Sequence, residues 1–405
     1  MKLNRRDFMI FSGLSIASKN LYLQTNTKPE KSVPESWIEL SPANIEWNLK
    51  KIKQKVKTPV MGVIKANAYG HGLVEFGKHL DRLGIDALMV CKLEEAVRLR
   101  ESGISCPIYN FGPVIPENTP ILVKYNISQF LHSGDFKEMN RRAEKLGASI
   151  NVHIHADTGM HRMGFSHKDA VSVLKQAHSL KGLSLSGLST TLTEDKQFDK
   201  VQLQRLQSLY EESQNLGIPI KTRHAASSAG IFESKSHYLD MIRPGITLYG
   251  CYPNQETRKQ DSLSLRPVLE FKSRVVDVKT LTPGESVSYH RAYKAEKRGK
   301  IAVIPVGYSD GYPPSVSQKS KVLIKGKKYP LINTLTANHM EALINIDSPV
   351  SPGDEVTLIG SQGSENITAD DVAQWSGISN YKVLIGLNPL IPRYLLNQNP
   401  GHHIF

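Results

Sequence analysis

The stretch Val63-Ile-Lys65-Ala-Asn-Ala-Tyr69-Gly-His-Gly72 decides how the chain is interpreted, because it joins an apolar run to a small-residue loop that carries one lysine. The apolar run, Pro59–Ile64, is typical of a buried strand, so Lys65 stands where that strand ends. An isolated lysine at such a place would simply extend to solvent. Burial favours the neutral amine, which is the form that attacks carbonyl groups, and the small residues let the backbone approach a ligand closely.

Around this stretch, short apolar runs alternate with longer amphipathic segments. Strands that alternate with helices pair in parallel and are joined by crossover helices. Eight such units predict an α/β fold, a (β/α)8 TIM-type barrel. An open doubly wound sheet is the alternative, and no Gly-x-Gly-x-x-Gly follows the first strand to favour it. The predicted strands are Pro59–Ile64, Ala87–Cys91, Pro107–Phe111, Ile127–Leu131, Ser149–Ile154, Leu183–Ser189, Lys221–His224 and Tyr238–Arg243.

After Arg266 the pattern changes. Closely spaced strand-like runs such as Ile301–Val306 and Glu355–Ile359 are separated by turn signals, which predicts an all-β domain. One short helix is expected at Thr368–Trp375, with Thr368 as its cap and Asp371 at the third helical position. The predicted domains are a signal at residues 1–18, a linker at 19–36, a barrel at 37–265 and a β domain at 266–405.

Composition limits the classes of partner. The 405 residues carry a formal net charge of +13 and include three cysteines. Lysine and arginine are spread along the chain with no basic run interleaved with aromatic residues, so no nucleic-acid partner is expected. Three cysteines without a Cys-x-x-Cys pair do not make a disulfide framework or a zinc site, so no metal is expected.

The amino terminus combines Arg5-Arg6 with an apolar run from Phe8 to Ala17. This run is far shorter than the roughly 20 residues that span a bilayer, so no membrane anchor is expected. An arginine pair before such a run resembles a twin-arginine export signal, which predicts a periplasmic protein. A basic leader on a cytoplasmic enzyme is the alternative, since no clean Ala-x-Ala cleavage site follows.

The decapeptide Val63–Gly72 closely resembles the pyridoxal-phosphate (PLP) attachment motif of the alanine racemase family. Further motifs similar to that family's follow in the family's order and extend the resemblance over nearly the whole chain from Trp37. They are Asp157-Thr-Gly-Met160-His-Arg162-Met-Gly164, Met241-Ile-Arg243-Pro-Gly-Ile-Thr-Leu-Tyr249-Gly250, Val287-Ser-Tyr289, Val306-Gly-Tyr308-Ser-Asp310-Gly-Tyr-Pro313 and Ser379-Asn-Tyr381.

The resemblance implies a PLP-dependent amino-acid racemase with two bases. PLP withdraws electrons from a bound amino acid so that the Cα proton becomes acidic, and the protein supplies orientation and bases. Racemisation removes this proton on one face and delivers one on the other, so two acid/base groups are required. By resemblance they are Lys65, which also attaches PLP, and Tyr289, which reaches in from the partner subunit of a homodimer.

The resemblance also implies binding roles. Arg243 is expected to meet the pyridine nitrogen of PLP, where a permanent cation keeps that nitrogen unprotonated. Arg162 and Tyr308 are expected to orient the substrate carboxylate and the ring oxygen of PLP. The expected phosphate donors are the hydroxyls of Tyr69, Ser228 and Tyr381 and the backbone amides of Gly245 and Ile246.

Several positions depart from the family pattern. His155 stands where the family usually has a carbamylated lysine that supports Arg162. The histidine either fills that space differently or leaves room for an anion. Thr191 replaces the histidine beside the cofactor ring, and Ser227 replaces an asparagine.

A further departure concerns the substrate pocket. Thr336, Ala337 and Asn338 replace the usual Cys-Met-Asp. Ala337 is expected to widen the pocket by several methylene equivalents, and one methylene of fit is worth about 1–3 kcal/mol of discrimination. We therefore expect a substrate range wider than alanine alone.

Two other functions remain open on the sequence. A PLP-dependent decarboxylase of the same fold is one, although it has no need of Tyr289 as a second base. A PLP-binding protein with decayed catalysis is the other. The departures at His155 and Thr191 keep this second reading open, whereas the presence of both Lys65 and Tyr289 argues against it.

Overall fold

The structure, a computed structural model, describes residues 33–315 and 319–396. The predicted export signal and residues 19–32 of the predicted linker lie outside the described residues. No described helix is long and apolar enough to cross a membrane.

The first described strand belongs to a sheet of the carboxy-terminal part of the chain. Strand β1 (Ser36–Leu40) pairs antiparallel with Leu269–Arg274 and parallel with Arg393–Leu395. Three of its five residues, Trp37, Ile38 and Leu40, are buried, which agrees with a strand in the interior of a sheet. The chain thus runs through this sheet before it enters the barrel, which differs from the predicted start of the barrel at residue 37.

The amino-terminal barrel is built from parallel strands, as predicted. Seven of them follow one another in the sheet order β2-β3-β4-β5-β6-β8-β9, and the short β7 pairs with β6. Several are buried along their whole length because helices cover the outside of a parallel barrel. The strands are β2 (Met61–Val63), β3 (Ala87–Val90), β4 (Ile108–Asn110), β5 (Ile127–Leu131), β6 (Ile150–Asp157), β7 (Phe165–Ser166), β8 (Leu183–Ser189) and β9 (Thr222–His224).

The prediction of an eighth strand at Tyr238–Arg243 is wrong in detail. This segment makes only a single parallel bridge, between Val60 and Ile242. Leu239 has a positive φ of 51°, which interrupts extended backbone before the bridge, and Pro244 has no N–H to continue a ladder after it. The segment still closes the barrel, because Ile242 N–H donates to Pro59 O at 3.0 Å and Asp240 N–H donates to Arg223 O at 3.1 Å.

The helices cover the barrel with one apolar face. In the helix Phe136–Lys145, for example, Phe136, Met139 and Ala143 are buried at helical spacing, and the Asp135 side chain caps the first turn. Apart from the left-handed turn Lys65–Tyr69 and short 3-10 turns, the helices of this part of the chain are α1 (Pro42–Val56), α2 (Leu73–Arg82), α3 (Leu93–Glu101), α4 (Thr119–Lys124), α5 (Phe136–Lys145), α6 (Ala170–His178), α7 (Lys196–Asn215) and α8 (Gln255–Gln260).

The carboxy-terminal part is rich in strands, as predicted. One sheet has the order β16-β15-β18-β10-β1-β20 with β19 on β18, a second has the order β11-β14-β17, and β12 pairs with β13. These strands are β10 (Leu269–Arg274), β11 (Asp277–Leu281), β12 (Ser286–Val287), β13 (Tyr293–Lys294), β14 (Gly299–Ile304), β15 (Lys321–Ile324), β16 (Lys327–Pro330), β17 (Met340–Ile344), β18 (Glu355–Gln362), β19 (Glu365–Ile367) and β20 (Arg393–Leu395).

Two helices accompany these strands. The first, α9 (Ala369–Ser376), confirms the predicted helix, and Thr368 and Asp371 form the reciprocal capping box that the sequence predicts. The second, α10 (Asn380–Gly386), was not predicted and is capped by the Ser379 hydroxyl. It carries Tyr381 and therefore belongs to the candidate site.

Candidate active site

Lys65 begins a turn with an unusual backbone. It follows β2 at the carboxyl end of the strand, is partly buried, and precedes four consecutive non-glycine residues with positive φ, namely Ala66, Asn67, Ala68 and Tyr69 at 55°, 55°, 52° and 49°. Left-handed backbone costs about 1–2 kcal/mol for each residue that has a Cβ. Strain of this kind persists only where surrounding contacts determine the conformation.

The far end of the same loop is wedged against the carboxy-terminal helix α10. A Cβ built on Gly70 would lie 2.0 Å from the backbone oxygen of Leu384, so only glycine permits this approach. Arg393 donates from Nε to Gly70 O at 2.8 Å and so ties the loop to β20. These contacts bring Tyr381 of α10 beside Tyr69, with ring centroids 5.8 Å apart.

Next to these tyrosines lies a small cradle of polar groups. The buried Ser228 hydroxyl accepts hydrogen bonds from Gly245 N–H at 2.9 Å and Thr247 N–H at 3.4 Å. A Cβ built on Gly245 would lie 2.8 Å from the Tyr69 hydroxyl oxygen. Burial raises the pKa of both Tyr69 and Tyr381, so both hydroxyls keep their protons near neutral pH. The cradle therefore gathers hydroxyl groups and backbone amides around a place that a side chain would fill.

Arg243 is buried and lies two residues before Gly245 in the chain. Its guanidinium donates to His224 O at 2.9 Å, Thr190 O at 2.7 Å and Ala225 O at 3.1 Å. No carboxylate of the described residues pairs with it. Burial lowers the pKa of Arg243 to about 10, which still leaves it cationic near neutral pH. A buried cation with donors held in place by carbonyls suits contact with an acceptor atom of a ligand.

A chain of histidines supports Arg243 from inside the barrel. Burial first, and the Arg243 charge second, lower the pKa of both His224 and His153, the latter to about 3, so both rings are neutral. Nη1 of Arg243 donates to Nδ1 of His224, which puts the His224 proton on Nε2. That atom lies 2.8 Å from Nδ1 of His153 and donates to it. This series of hydrogen bonds fixes the orientation of the Arg243 guanidinium without a negatively charged partner.

Arg162 lies on the barrel side, after β6 and beside His155 and Thr191, whereas the other three predicted residues form a second group on the carboxy-terminal part. One surface depression of about 340 Å³ is lined by Tyr289, Tyr308 and Ala337, together with residues 335–336 and 338–339. None of the described barrel residues lines this depression. Tyr289 is 73% exposed. Backbone hydrogen bonds join the segment that holds Tyr308 to the segment that holds Ala337. Tyr308 N–H donates to Thr336 O at 3.1 Å, and Ser309 N–H donates to Ala337 O at 2.9 Å. One chain therefore does not bring Tyr289 into the Lys65 group.

Two family models match the chain, one for the amino-terminal domain of alanine racemase at residues 40–253 and one for its carboxy-terminal domain at residues 268–395. The chain belongs to the alanine racemase family. Alanine racemase from Halothermothrix orenii is 34% identical over 373 residues, which are 90% of this chain and 98% of that protein. Alanine racemase 1 from Clostridium acetobutylicum is 36% identical over 371 residues, which are 89% of this chain and 95% of that protein.

Solved structures agree with this family assignment. The alanine racemase from Clostridium difficile 630 superposes with a TM-score of 0.87 at 31% identity and covers 93% of this chain and 98% of that one. The predicted fold, PLP as cofactor and a PLP-dependent racemase activity are thereby confirmed. The residues present fit PLP, because the cradle at Ser228 and Gly245, the lysine at a strand end and the cationic Arg243 match a phosphate, an aldehyde and a pyridine nitrogen.

One departure from the alanine racemase pattern takes a definite form. His155 is buried, its Nδ1 lies 2.9 Å from the Ser189 hydroxyl, and its Nε2 lies 3.4 Å from the Thr191 hydroxyl. Burial, and then the charge of Arg243, lower its pKa well below the usual range, so the ring is neutral. The gap between His155, Thr191 and Arg162 leaves no room for a water molecule. Of the two alternatives for this position, the structure therefore favours a histidine that fills the space itself.

Sequence reasoning missed the residues that support the site. Glu95 accepts a hydrogen bond from Asn67 N–H at 3.0 Å, and the Asn67 side chain accepts one from Leu73 N–H at 2.9 Å. Glu95 looks in the sequence like any solvated position of an amphipathic helix. His153 and His224 stand in or beside predicted strands without a signal of their own. Within the described residues, no group of three or more His, Cys, Asp or Glu side chains is arranged to hold a metal.

Proposed function

We propose that this racemase attaches PLP through Lys65 and binds the phosphate with the hydroxyls of Tyr69, Ser228 and Tyr381 and the amides of Gly245 and Ile246. The observation that carries the proposal is the cradle itself, in which Ser228 meets the backbone of Gly245 opposite the Tyr69 hydroxyl. Hydroxyl and amide donors around a glycine suit a phosphate monoester, because the anion approaches the backbone closely.

When bound, PLP supplies an electron-withdrawing ring that makes the Cα proton of an amino acid acidic. Lys65 and Tyr289 take and return this proton on opposite faces, so each residue is a base in one direction and an acid in the other. Arg243 would contact the pyridine nitrogen, and its permanent charge would keep that nitrogen from gaining a proton. Arg162 and Tyr308 orient the substrate carboxylate and the ring oxygen.

The active unit in this proposal is a homodimer with shared sites. Tyr289 is largely exposed and lies in the depression that also holds Tyr308 and Ala337, apart from the Lys65 group. A second copy that places this depression over Lys65 would complete both sites at once, as a two-fold interface does.

Mixing two inactive variants tests the shared site. Lys65→Ala and Tyr289→Phe subunits, unfolded together and refolded, form hybrid dimers in which one site has both bases and the other has neither. Recovery of about a quarter of the parental activity is expected if dimers assort at random. No recovery, with hybrid dimers present by native mass spectrometry, would mean that both bases come from the same chain.

The proposed substrates are alanine, as the names of the relatives indicate, and larger amino acids. Ala337 and the exposed Asn338 beside it leave the rim of the depression open. A short side chain there admits substrates that a longer one would exclude, by about 1–3 kcal/mol for each methylene.

We also propose export to the periplasm. The support is Arg5-Arg6 before a short apolar run, a pattern typical of twin-arginine signals. Such a route carries folded proteins, so PLP would load before transport. Fractionation of cells that produce the full chain, and of cells that produce an Arg5→Lys, Arg6→Lys variant, tests this. Retention of both forms in the cytoplasm would refute it.

A substrate panel tests the activity directly. The purified chain without residues 1–32 is incubated with L-alanine, L-serine, L-lysine and L-arginine, and chiral chromatography follows both enantiomers. Interconversion that is lost in Lys65→Ala, together with recovery of PLP covalently linked to Lys65 after borohydride reduction, is the expected result. Linked PLP with no interconversion of any substrate would remove racemisation.

A further inference from the structure

The turn that follows Lys65 needs support from outside itself. Residues 66–69 all lie in the left-handed region, and none of them is glycine. Their own hydrogen bonds, such as Ala68 N–H to Ile64 O at 2.9 Å and Gly70 N–H to Ala66 O at 3.2 Å, close the turn locally. A short run of this kind reverts to right-handed or extended backbone unless neighbouring groups hold it.

One side chain from another element reaches the middle of the turn. Oε1 of Glu95 accepts the hydrogen bond of Asn67 N–H at 3.0 Å. Glu95 stands in the first turn of α3, where the partial positive charge of the helix end favours a carboxylate. Leu93, Ala96 and Leu99 of the same helix are buried, so the acceptor is anchored to the barrel wall.

Asn67 transmits this contact to the rest of the loop. Its backbone oxygen accepts from Gly72 N–H at 3.0 Å, and its side-chain Oδ1 accepts from Leu73 N–H at 2.9 Å, at the start of α2. Glu95 and Asn67 therefore connect two helices across the turn. A change in this connection moves the turn as a unit and, with it, the direction in which Lys65 leaves the strand.

We propose that Glu95 is a positioning residue whose hydrogen bond to Asn67 holds the left-handed turn and so sets the placement of Lys65. The inference rests on the proposed attachment of PLP to Lys65. For this role, Oε1 must reach Asn67 N–H, and the negative charge of the carboxylate is not required. The other oxygen, Oε2, is buried without a partner in the described part of the chain, so an amide nitrogen in its place would break no bond.

Two substitutions separate reach from charge. Glu95→Gln keeps an oxygen at the same distance and removes the charge. Glu95→Asp keeps the charge at the helix start but is one methylene too short to reach Asn67 N–H. Glu94→Gln is the matched control, because Glu94 is the exposed neighbour in the same helical turn. All three keep a polar side chain of equal or smaller size in the first turn of α3, so folding is expected to survive.

The first readout is activity of the PLP-loaded enzyme. Glu95→Asp is expected to lower kcat by about tenfold or more with KM changed less than threefold, because a small misplacement of a catalytic group is costly. Glu95→Gln and Glu94→Gln are expected to stay within about threefold of the parent. Equal loss in Gln and Asp variants, or full activity in the Asp variant, would overturn the proposal.

The second readout does not depend on activity. Hydrogen–deuterium exchange of the PLP-free protein, followed by mass spectrometry of peptides that cover residues 64–74, reports whether the turn is held. Faster exchange is expected in Glu95→Asp alone. If exchange in Glu95→Asp were unchanged, the proposal that Glu95 holds the turn would be wrong, even if this variant proved inactive.

Failure of this inference is distinguishable from failure of the proposed function. If reduction of the parent enzyme yields PLP linked to Lys65 and the parent racemises its substrate, the proposed function stands whatever the Glu95 variants do. If the parent carries PLP on another residue, the proposed function fails first, and the exchange result still reports on Glu95 and the turn.

Discussion

Arg243 donates a hydrogen bond to Nδ1 of a neutral histidine, His224, and no carboxylate of the described residues stands beside this pair. A buried guanidinium without a counter-anion is expensive. Carbonyls of residues 190, 224 and 225 take up its donors. The arrangement keeps a full positive charge available for one more partner, which in the proposed function is the pyridine nitrogen of PLP.

We predict that Arg243→Lys lowers kcat/KM by about tenfold or more. A lysine ammonium is compact and cannot reach three carbonyl oxygens and a ligand atom at once, and each lost hydrogen bond to a charged group costs about 1.5–3 kcal/mol. Steady-state kinetics measure the effect. Arg223→Lys, in β9 and paired with Asp240, is the control and is expected to remain near the parental value. Equal kcat/KM in Arg243→Lys would argue against the assigned contact.

Gly245→Ala is expected to weaken PLP binding by about tenfold or more, since the added methyl group would lie 2.8 Å from the Tyr69 hydroxyl oxygen and overpacking costs about 1–3 kcal/mol. Titration of PLP-free protein with PLP, followed by absorbance, gives the dissociation constant. Gly299→Ala serves as control because its methyl group would meet only one atom, at 4.0 Å. A Gly245→Ala variant that binds PLP as tightly as the parent would exclude the cradle as the phosphate site.

The buried His71 predicts how stability depends on pH. Burial lowers the pKa of its ring from 6.5 to about 3, so the unfolded chain binds a proton between these values that the folded chain does not. The free energy of unfolding therefore falls as pH drops from 6.5 towards 3, by about 1.4 kcal/mol per pH unit for this ring. Above pH 6.5 the ring is neutral in both states and contributes no pH dependence.

His71→Asn tests this dependence. The Asn amide can replace the bond from Nδ1 to Tyr69 O, which is 3.0 Å long, but it does not titrate. Urea unfolding at several values from pH 7.5 to 4.5 is expected to show a slope smaller by about one proton. His178→Asn is the control, because His178 is an exposed residue at the end of α6. An unchanged slope in His71→Asn would contradict the prediction.

Ala337→Met is expected to narrow the substrate range. The longer side chain fills the rim beside Tyr308 and should lower kcat/KM for lysine or arginine relative to alanine by about 10–200-fold for each methylene of lost fit. The ratio of kcat/KM values for the two substrates is the measurement, and alanine turnover within the same preparation is the internal control. An unchanged ratio would show that Ala337 does not limit substrate size.

Much of the fold was readable from local patterns. Apolar runs with helical spacing between them specify parallel strands and crossover helices, and seven predicted strands are present. The Thr368–Asp371 capping box was also readable because both partners are three residues apart. The conformation of the predicted eighth strand was not readable in this way. It depends on the positive φ of Leu239 and on the bridge between Val60 and Ile242, which forms only when the barrel closes.

The sequence by itself determined the family and the cofactor, and it predicts Lys65 as the reactive lysine, because these follow from residue types at short, fixed spacing. Only the tertiary structure decided what holds that lysine in place. Glu95 lies 28 residues from Asn67, and His224 lies 19 residues from Arg243. Such contacts form when separate strands and helices meet around the barrel, and no local pattern encodes which distant side chain will satisfy a given backbone amide or guanidinium.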